Sequence, residues 1–371
     1  MRVGIPKEAE PGETRVAAVP ETVPKLARAG LEVLVERGAG LASGFPDAAY
    51  EGKGAKLVDR SEALGAELVL SVGVPATSEL SSGQVLVCMP EPLSKPKRIA
   101  ELAKAGVTAF ALEFMPRISR AQSMDVLSSM ANVAGYKAVL MAANQLPKLM
   151  PLMMTAAGTV RPAKVFVLGA GVAGLQAIAT ARRLGAVVEA YDIRSDTKEQ
   201  VESCGGRFIE FDLGIGDAQD AGGYAKELTD EQKTLQAKLM AEVIQNADAV
   251  ITTANVPGRR APLLIPAEVV EGMKPGSVIV DMAAESGGNC ALTEKGETVV
   301  KHGVTLMGPV NIPATVAGTT SLLYSNNLVS FLGELLEEGN VALDLENEVL
   351  AAPLVCHEGK VTNDRIQKAL A

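Results

Sequence analysis

The chain has 371 residues, 47% of them apolar, so it can bury more than one core and is neither disordered nor fibrous. It carries 35 basic against 44 acidic residues, a net charge of −9, which argues against a nucleic-acid binder that must neutralise phosphates. Its four cysteines (Cys88, Cys204, Cys290 and Cys356) are widely separated, with no CxxC and no Cys/His cluster. That spacing excludes a disulfide scaffold and a structural zinc site, suits a reducing cytosol, and gives no metal site. There are two histidines, His302 and His357, and no tryptophan, so a mechanism built on an imidazole base has few candidates.

The opening MRVGIPKEAE has charges but no apolar stretch after them, so it is not read as a secretory leader. A spanning helix needs about 18 or more continuous apolar residues. The nearest candidate, Val133 to Met154, is broken by Lys137, Asn144, Gln145, Lys148 and two prolines. The chain is expected to be soluble on its own.

At roughly 150 residues per domain, two domains are expected. The first half alternates β-branched runs with helical patterns. Strands are predicted at Arg2–Ile5, Glu32–Val35, Lys56–Val58, Leu68–Val72, Val85–Cys88 and Thr108–Leu112. Helices are predicted at Glu21–Ala29 and Pro96–Ala105, the latter from the spacing of Ile99, Leu102 and Ala103. Strands alternating with helices imply parallel sheets. A long Ala/Met/Leu-rich helix is predicted from Ala121 to Leu149, stopped near Pro147 and Pro151. A second series follows, with strands at Lys164–Leu168, Val187–Tyr191, Arg207–Phe211, Ala249–Thr253, Ser277–Asp281 and Val304–Met307. Six strands complete a doubly wound sheet. From Leu322 to Leu336 the pattern is helical again, with an acidic, Leu-rich tail.

Within VFVLGAGVAGLQAIATARRLGA, Gly169-x-Gly171-x-x-Gly174 follows a strand run and opens a helix run. Gly169 suits a tight turn, Gly171 a close backbone approach to a pyrophosphate, and Gly174 close packing of helix on sheet. The anion would lie at the helix N-terminus, over Ala170 and Val172, where free N–H groups and the helix dipole favour negative charge. Asp192 ends the next strand, flanked by Ile193 and Arg194. Its carboxylate can accept from ribose hydroxyls and would repel a 2′-phosphate, which favours NAD(H) over NADP(H). Arg194 works in the opposite direction. The competing reading is a turn needed for packing alone, with Asp192 a solvated strand end.

Ligands of such sheets bind outside the carboxyl ends of the strands. Three loops fall there: Thr253, Ala254, Asn255, Val256 and Pro257 to Gly258; Asp281 to Asn289, with Glu285; and Gly308 to Pro313, with Asn311. Small residues with exposed backbone suit a nicotinamide and its carboxamide; ordinary turns are the alternative. In RISRAQSMDVLSS, Gln122, Asp125 and Ser128 fall i, i+3, i+6 on one face of a helix predicted to begin near Ser119 or Ala121, with Arg117 and Arg120 at its start. That face can grip a nicotinamide mononucleotide half; from spacing alone it is equally a solvated face with an Arg–Asp pair.

The motif PRISRAQSMDVLSS, the fingerprint VLGAGVAGLQAIATARRLGAVVEAYDIR, the stretch GGYAKE, and MKPGSVIVDMAAESGGN with VNIP together resemble the NAD(H)-binding components of proton-translocating nicotinamide nucleotide transhydrogenases. The resemblance runs from KEAEPGETRVAAVP to beyond Leu336. It implies two Rossmann-like doubly wound lobes joined by long helices, with an NAD-binding cleft between or beside them. It places the first lobe at 1–127 with the tail 319–371 returning to it, and the nucleotide lobe at 128–318. It implies that Arg117, Gln122, Asp125 and Ser128 lie at the hydride-transfer site. It also implies that Asp220 to Lys226, with Gly223 and Tyr224, is a loop that closes over nucleotide. Single-polypeptide members continue into membrane helices, so the chain is expected to be a separately encoded subunit. It would form a homodimer, dock onto an NADP(H)-binding β-subunit domain and transmembrane transhydrogenase subunits, and lie in the cytoplasm, peripheral to the inner membrane.

The related alanine dehydrogenases share the Rossmann half and use a lysine and a histidine in the first lobe. The corresponding stretches LVLSVGVP and VLVCMPEP have neither, although Arg15 remains and is read as structural. Hydride transfer to an imine or ketone also moves a proton and needs a positioned acid or base. Transfer between two nicotinamides moves none at the reacting carbon and needs proximity and orientation. A chain poor in imidazole suits the second. His302, in a KHG turn between a helix-like and a strand-like run, and His357, in a polar tail, read as surface residues.

Overall fold

The computed structural model of the chain describes residues 1–212, 229–255 and 258–370. Strands β1 (Arg2–Ile5), β2 (Glu32–Glu36), β3 (Lys56–Val58), β4 (Leu68–Leu70) and β5 (Val85–Cys88) come first, then helix α1 (Pro96–Lys104), strand β6 (Thr108–Ala111) and helix α2 (Val126–Gln145). A second series comprises β7 (Lys164–Leu168), α3 (Val172–Arg183), β8 (Val187–Tyr191), β9 (Arg207–Phe208), α4 (Asp230–Asn246), β10 (Ala249–Thr252), β11 (Val278–Asp281), β12 (Thr298–Lys301) and β13 (Val304–Met307). Helix α5 (Ala317–Leu335) and strands β14 (Leu354–His357) and β15 (Lys360–Val361) follow.

The chain divides into two compact units, Met1–Val133 with Pro313–Ala371, and Ala134–Ile312. The first holds a sheet ordered β15-β14-β6-β5-β4-β1-β2-β3. Its first six strands run parallel in the doubly wound order, and β14 adds antiparallel to β6 with a bulge between Leu354 and Cys356. The second holds a sheet ordered β9-β8-β7-β10-β11-β13-β12, parallel except for β12. Strands β5, β10 and β11 are buried along their whole length. Parallel strands covered on both faces read as unbroken apolar runs, which is why the sequence shows them clearly. In both sheets the first and fourth strands of the series are neighbours, so each unit has one topological switch point.

Four expectations need correction. The long helix does not begin at Ala121. A 3-10 turn, Ser119–Met124, comes first, Asp125 is extended (φ −75°, ψ 90°), and α2 starts at Val126. The cause is local: the Asp125 carboxylate accepts from the Ser128 backbone N–H (2.9 Å) and hydroxyl (2.6 Å), the N-cap arrangement that fixes where a helix starts. At the other end α2 stops at Gln145, because Pro147 disfavours helical backbone at the residue before it. The run before His302 is strand β12, not a helix, and the tail after α5 contains the β14–β15 hairpin. Residues 153–155 and 158–160, where no element was predicted, form a small antiparallel hairpin that is exposed throughout.

Helix α2 is, among the described residues, long and apolar enough by length and composition to cross a membrane. Its apolar residues are nonetheless used in protein cores. Val126 packs in the first unit's core, and Ala138, Val139 and Ala142 in the second unit's. All four cysteines are free.

Candidate functional site

The second unit's switch point lies between β7 and β10, and the glycine fingerprint sits on it. Gly169 turns the chain at φ +100°, a conformation L side chains rarely adopt. A side chain at Gly169 would run into Thr253, and one at Gly174 into the Gly169 carbonyl. Thr253 closes the crevice from the other side: its N–H donates to the Leu168 carbonyl (2.8 Å) and its hydroxyl to the Leu168 (3.2 Å) and Gly169 (3.1 Å) carbonyls. Gly171 differs from its neighbours. It is the N-cap of α3 with ordinary φ (−74°), no side chain caps the helix start, and an added Cβ there would meet nothing within 4 Å. The protein's own packing therefore does not require glycine at this position. The open space stands before uncapped amides at a helix start, the arrangement that suits a pyrophosphate.

Asp192 has a largely buried side chain beside this turn. Its carboxylate accepts from the Ala170 N–H (2.7 Å), the Arg194 N–H (2.9 Å) and the Arg194 guanidinium (3.0 and 3.1 Å). Burial alone would raise the carboxyl pKa, but the Arg194 guanidinium and the two amides outweigh it and hold the group below the usual carboxylate range. Asp192 is thus a fixed anion beside the glycine turn, with Arg194 neutralised against it. Ile193, between them in sequence, is 87% exposed.

The three predicted carboxyl-edge loops are joined to one another. The Ser286 hydroxyl donates to Asn255 Oδ1 (2.8 Å), and the Asn311 N–H to Glu285 Oε2 (3.3 Å). Asn311 itself is left-handed (φ +43°), which aims its backbone at Glu285. Gly223, Tyr224, Val256 and Pro257 lie outside the described residues.

Three residues whose role the sequence did not reveal shape the crevice. Gly135, inside α2, lies so close to Ala173 in the first turn of α3 that a Cβ would collide with the Ala173 backbone. A glycine within a helix normally weakens it, and nothing local signals that a second helix start packs there. Asp281 and Asn289, fully buried, were read as part of a loop rather than as its framework.

In the first unit, the segment 117–128 carries the other predicted residues. Arg117 and Gln122 are exposed, Asp125 and Ser128 half-buried and bonded to each other. Arg117 does not pair with Asp125 through any described ion pair; Arg120 turns instead to Asn347 and to Glu334 (3.8 Å). The turn bearing Gln122 is anchored by buried Ala121 and Met124 and by Asn327 of α5, whose amide donates to the Ser123 carbonyl (2.8 Å).

The first unit's own switch point, between β1 and β4, has a different content. Glu8 is half-buried there and accepts from the Val72 (2.6 Å) and Gly73 (3.1 Å) amides, so a side chain of the protein already fills the place of an anion. Arg15 is buried and tied to Glu13 by its Nε (2.8 Å) and Nη2 (2.6 Å), with Nη1 on the Met130 sulfur (3.2 Å). Glu113, after β6, is half-buried, accepts from the Glu91 amide (2.7 Å), and has an enclosed Oε2 with no partner among the described residues. Burial raises Glu8 to about 7 and Glu113 to about 8, against the backbone amides that favour their ionised forms.

Both folded-state values lie above the unfolded one. Their contribution to stability is therefore complete below the unfolded pKa and is lost as pH rises through the folded pKa. The midpoint of thermal unfolding of Glu113→Gln is expected to rise relative to that of the unsubstituted chain between about pH 5 and 8, and to hold a constant offset above. A relative midpoint that falls over that interval would contradict the raised pKa of Glu113. Among the described residues no cluster of three His, Cys, Asp or Glu could hold a metal ion. His302 is exposed, and His357 is half-buried with Nδ1 on the Thr108 hydroxyl (3.0 Å).

The family described as Alanine dehydrogenase/PNT matches this chain over 4–134 with its N-terminal domain and over 138–364 with its C-terminal domain. An NAD(P) transhydrogenase alpha subunit of Rhodospirillum rubrum is 47% identical, over 98% of each chain. The crystal structure of a transhydrogenase from Sinorhizobium meliloti superposes with a TM-score of 0.86 at 45% identity, covering 98% of this chain and 99% of that one. The alanine dehydrogenase of Bacillus subtilis is 32% identical, over 100% of this chain and 95% of its own.

Proposed function

We propose that this chain, which belongs to the alanine dehydrogenase/PNT family, is the NAD(H)-binding alpha-type subunit of a proton-translocating NAD(P) transhydrogenase. The observation that carries the nucleotide part is the pairing at the fingerprint: Gly174 excluded from bearing a side chain by the fold, and Gly171 lacking one with open space before it. Gly169, Ala170, Gly171, Val172 and Gly174 would hold the pyrophosphate, Asp192 and Arg194 the ribose, and Ile193 the adenine face. Thr253, Ala254, Asn255, Glu285 and Asn311 would serve the nicotinamide half. The bound nicotinamide supplies the hydride. Arg117, Gln122, Asp125 and Ser128 would orient that ring.

What the residues lack supports ring-to-ring transfer over an amino-acid substrate. Arg15, the guanidinium a carboxylate would need, is committed to Glu13 inside the protein. The stretches 68–75 and 85–92 carry no lysine or histidine. The acceptor, NADP(H), would lie on a partner β-subunit domain, with other transmembrane subunits moving the proton. The chain would then sit in the cytoplasm, peripheral to the inner membrane. The test is to mix the purified chain with the NADP(H)-binding domain of a transhydrogenase and follow reduction of an NAD analogue by NADPH. Turnover is expected only with both proteins present; none at any ratio, or oxidation of NADH by pyruvate and ammonia with this chain alone, would refute the assignment.

The homodimer belongs to the same reading. The exposed hairpin places Leu152, Met153, Met154 (74% exposed) and Val160 at the surface, more apolar side chains together than a monomer usually shows. Met154→Asp is expected to shift the chain from dimer to monomer in sedimentation at micromolar concentration; a chain monomeric before substitution would refute the dimer.

A further inference from the structure

Two fully buried polar side chains hold the second unit's carboxyl-edge loops together. Asp281, the last residue of β11, accepts on Oδ1 from the Thr252 hydroxyl (3.0 Å) and the Ala283 N–H (3.1 Å). On Oδ2 it accepts from the N–H groups of Asn289 (2.8 Å) and Cys290 (3.0 Å). Asn289 then donates from Nδ2 to the carbonyls of Ala254 (2.8 Å) and Pro262 (2.8 Å). Two carbonyl acceptors fix which end of that amide is nitrogen. The chain of bonds runs from the end of β11, through its own loop, into the loop after β10. At the exposed rim the Ser286–Asn255 bond repeats the same tie.

A buried carboxylate with four neutral donors costs more to desolvate than an apolar side chain of equal volume, so packing alone does not account for Asp281. What the arrangement gives is register. It ties the loop of Thr253–Asn255 to the end of β11. A dinucleotide lies across the crevice with one half on each side of the switch point. On that reading strands β7 and β8 would carry the adenosine and pyrophosphate side, and the tied loops follow β10 and β11.

We propose that Asp281 and Asn289 are positioning residues for the nicotinamide half of the nucleotide site, acting through the Ala254 carbonyl and the loop that carries it. This rests on the reading of the second unit as an NAD(H) site. The adenosine half does not depend on them.

The test compares two ligands on the full chain, NADH by fluorescence and ADP by calorimetry, with the thermal midpoint recorded alongside. For Asn289→Ala, NADH affinity should fall about tenfold, the size of one lost hydrogen bond, while ADP affinity stays within about twofold. Ser286→Ala removes the exposed tie without touching the buried one and should weaken NADH about threefold, again sparing ADP. If Asn289→Ala does not fold, Ser286→Ala decides by the same comparison. Equal loss of both ligands would mean a structural role only, and no change in either would mean the tie does not reach the site; each overturns the proposal. An unsubstituted chain that binds ADP but not NADH would overturn the NAD(H) reading, and this proposal with it.

Discussion

Gly171→Ala leaves the fold intact and weakens NADH binding, whereas Gly174→Ala damages the fold itself. The two glycines are three residues apart in one motif, yet their surroundings differ. At Gly174 an added methyl group collides with the Gly169 carbonyl, a rigid backbone atom within the tightest turn of the unit. Such overpacking costs about 1–3 kcal/mol or more, and the loss is read as a lower denaturation midpoint without ligand. At Gly171 the backbone has a φ any residue adopts, and the methyl group meets nothing within 4 Å. The unliganded chain should unfold at the same midpoint as before. The methyl group instead occupies the space proposed for the pyrophosphate, and the same overpacking cost now falls on binding, roughly a ten- to hundredfold loss of NADH affinity. Unchanged affinity in Gly171→Ala, with the fold confirmed by circular dichroism, would remove the main support for the nucleotide site.

The second large effect is expected at Gln122. Replacing it with asparagine keeps the amide and shortens the side chain by one methylene. Its backbone is held by Ala121, Met124 and the Asn327–Ser123 bond, so the turn cannot follow the shorter side chain to its target. Transfer between two rings depends on the reacting carbons meeting at about 3–3.5 Å, and a misplacement of about 1 Å costs on the order of a hundredfold in rate. With the NADP(H)-binding partner present, turnover should fall by about that factor or more. NADH affinity, which rests on the second unit, should change by less than about threefold, well under one hydrogen bond's worth. An unchanged rate would exclude Gln122 from the reaction. A large loss of NADH affinity would make it a binding residue instead.

The buried strands were legible because nothing competes with their signal. VFVL, VLVC and VIV are apolar on both faces and bounded by turns or polar residues. The fingerprint was legible because its strand, turn and helix adjoin in sequence. The antiparallel additions were not, since each is short: β14 is buried only over Leu354–Cys356, and β12 and β15 are partly exposed. Strand β12 reads TVVK with alternating exposure, and β15 has two residues. A usable signal was nevertheless present. His302-Gly303, Glu338-Gly339 and Glu358-Gly359 each take positive φ at both positions, the geometry of a two-residue hairpin turn. Each lies between paired strands. A residue followed by glycine between two short β-branched runs was the clue.

The candidate site was legible residue by residue but not in its local conformation. Spacing placed Gln122, Asp125 and Ser128 on one helix face. The side chain of Asp125 competes with the backbone for hydrogen bonds and ends that helix at itself, leaving Gln122 on a separate turn. Gly135 and Asn289 were beyond the reach of pattern, because each is explained by a contact with a distant segment, Ala173 in one case and Ala254 in the other.

The central claim is that hydride passes directly between two nicotinamides with no proton donor supplied by this chain. It is tested by running the reaction with the partner domain, from NADPH carrying deuterium at the transferring C4 position, in ordinary water. The account predicts that the deuterium appears undiluted at C4 of the reduced NAD analogue. Label lost to solvent, or transfer that proceeds only when a small carbonyl metabolite is added, would contradict it.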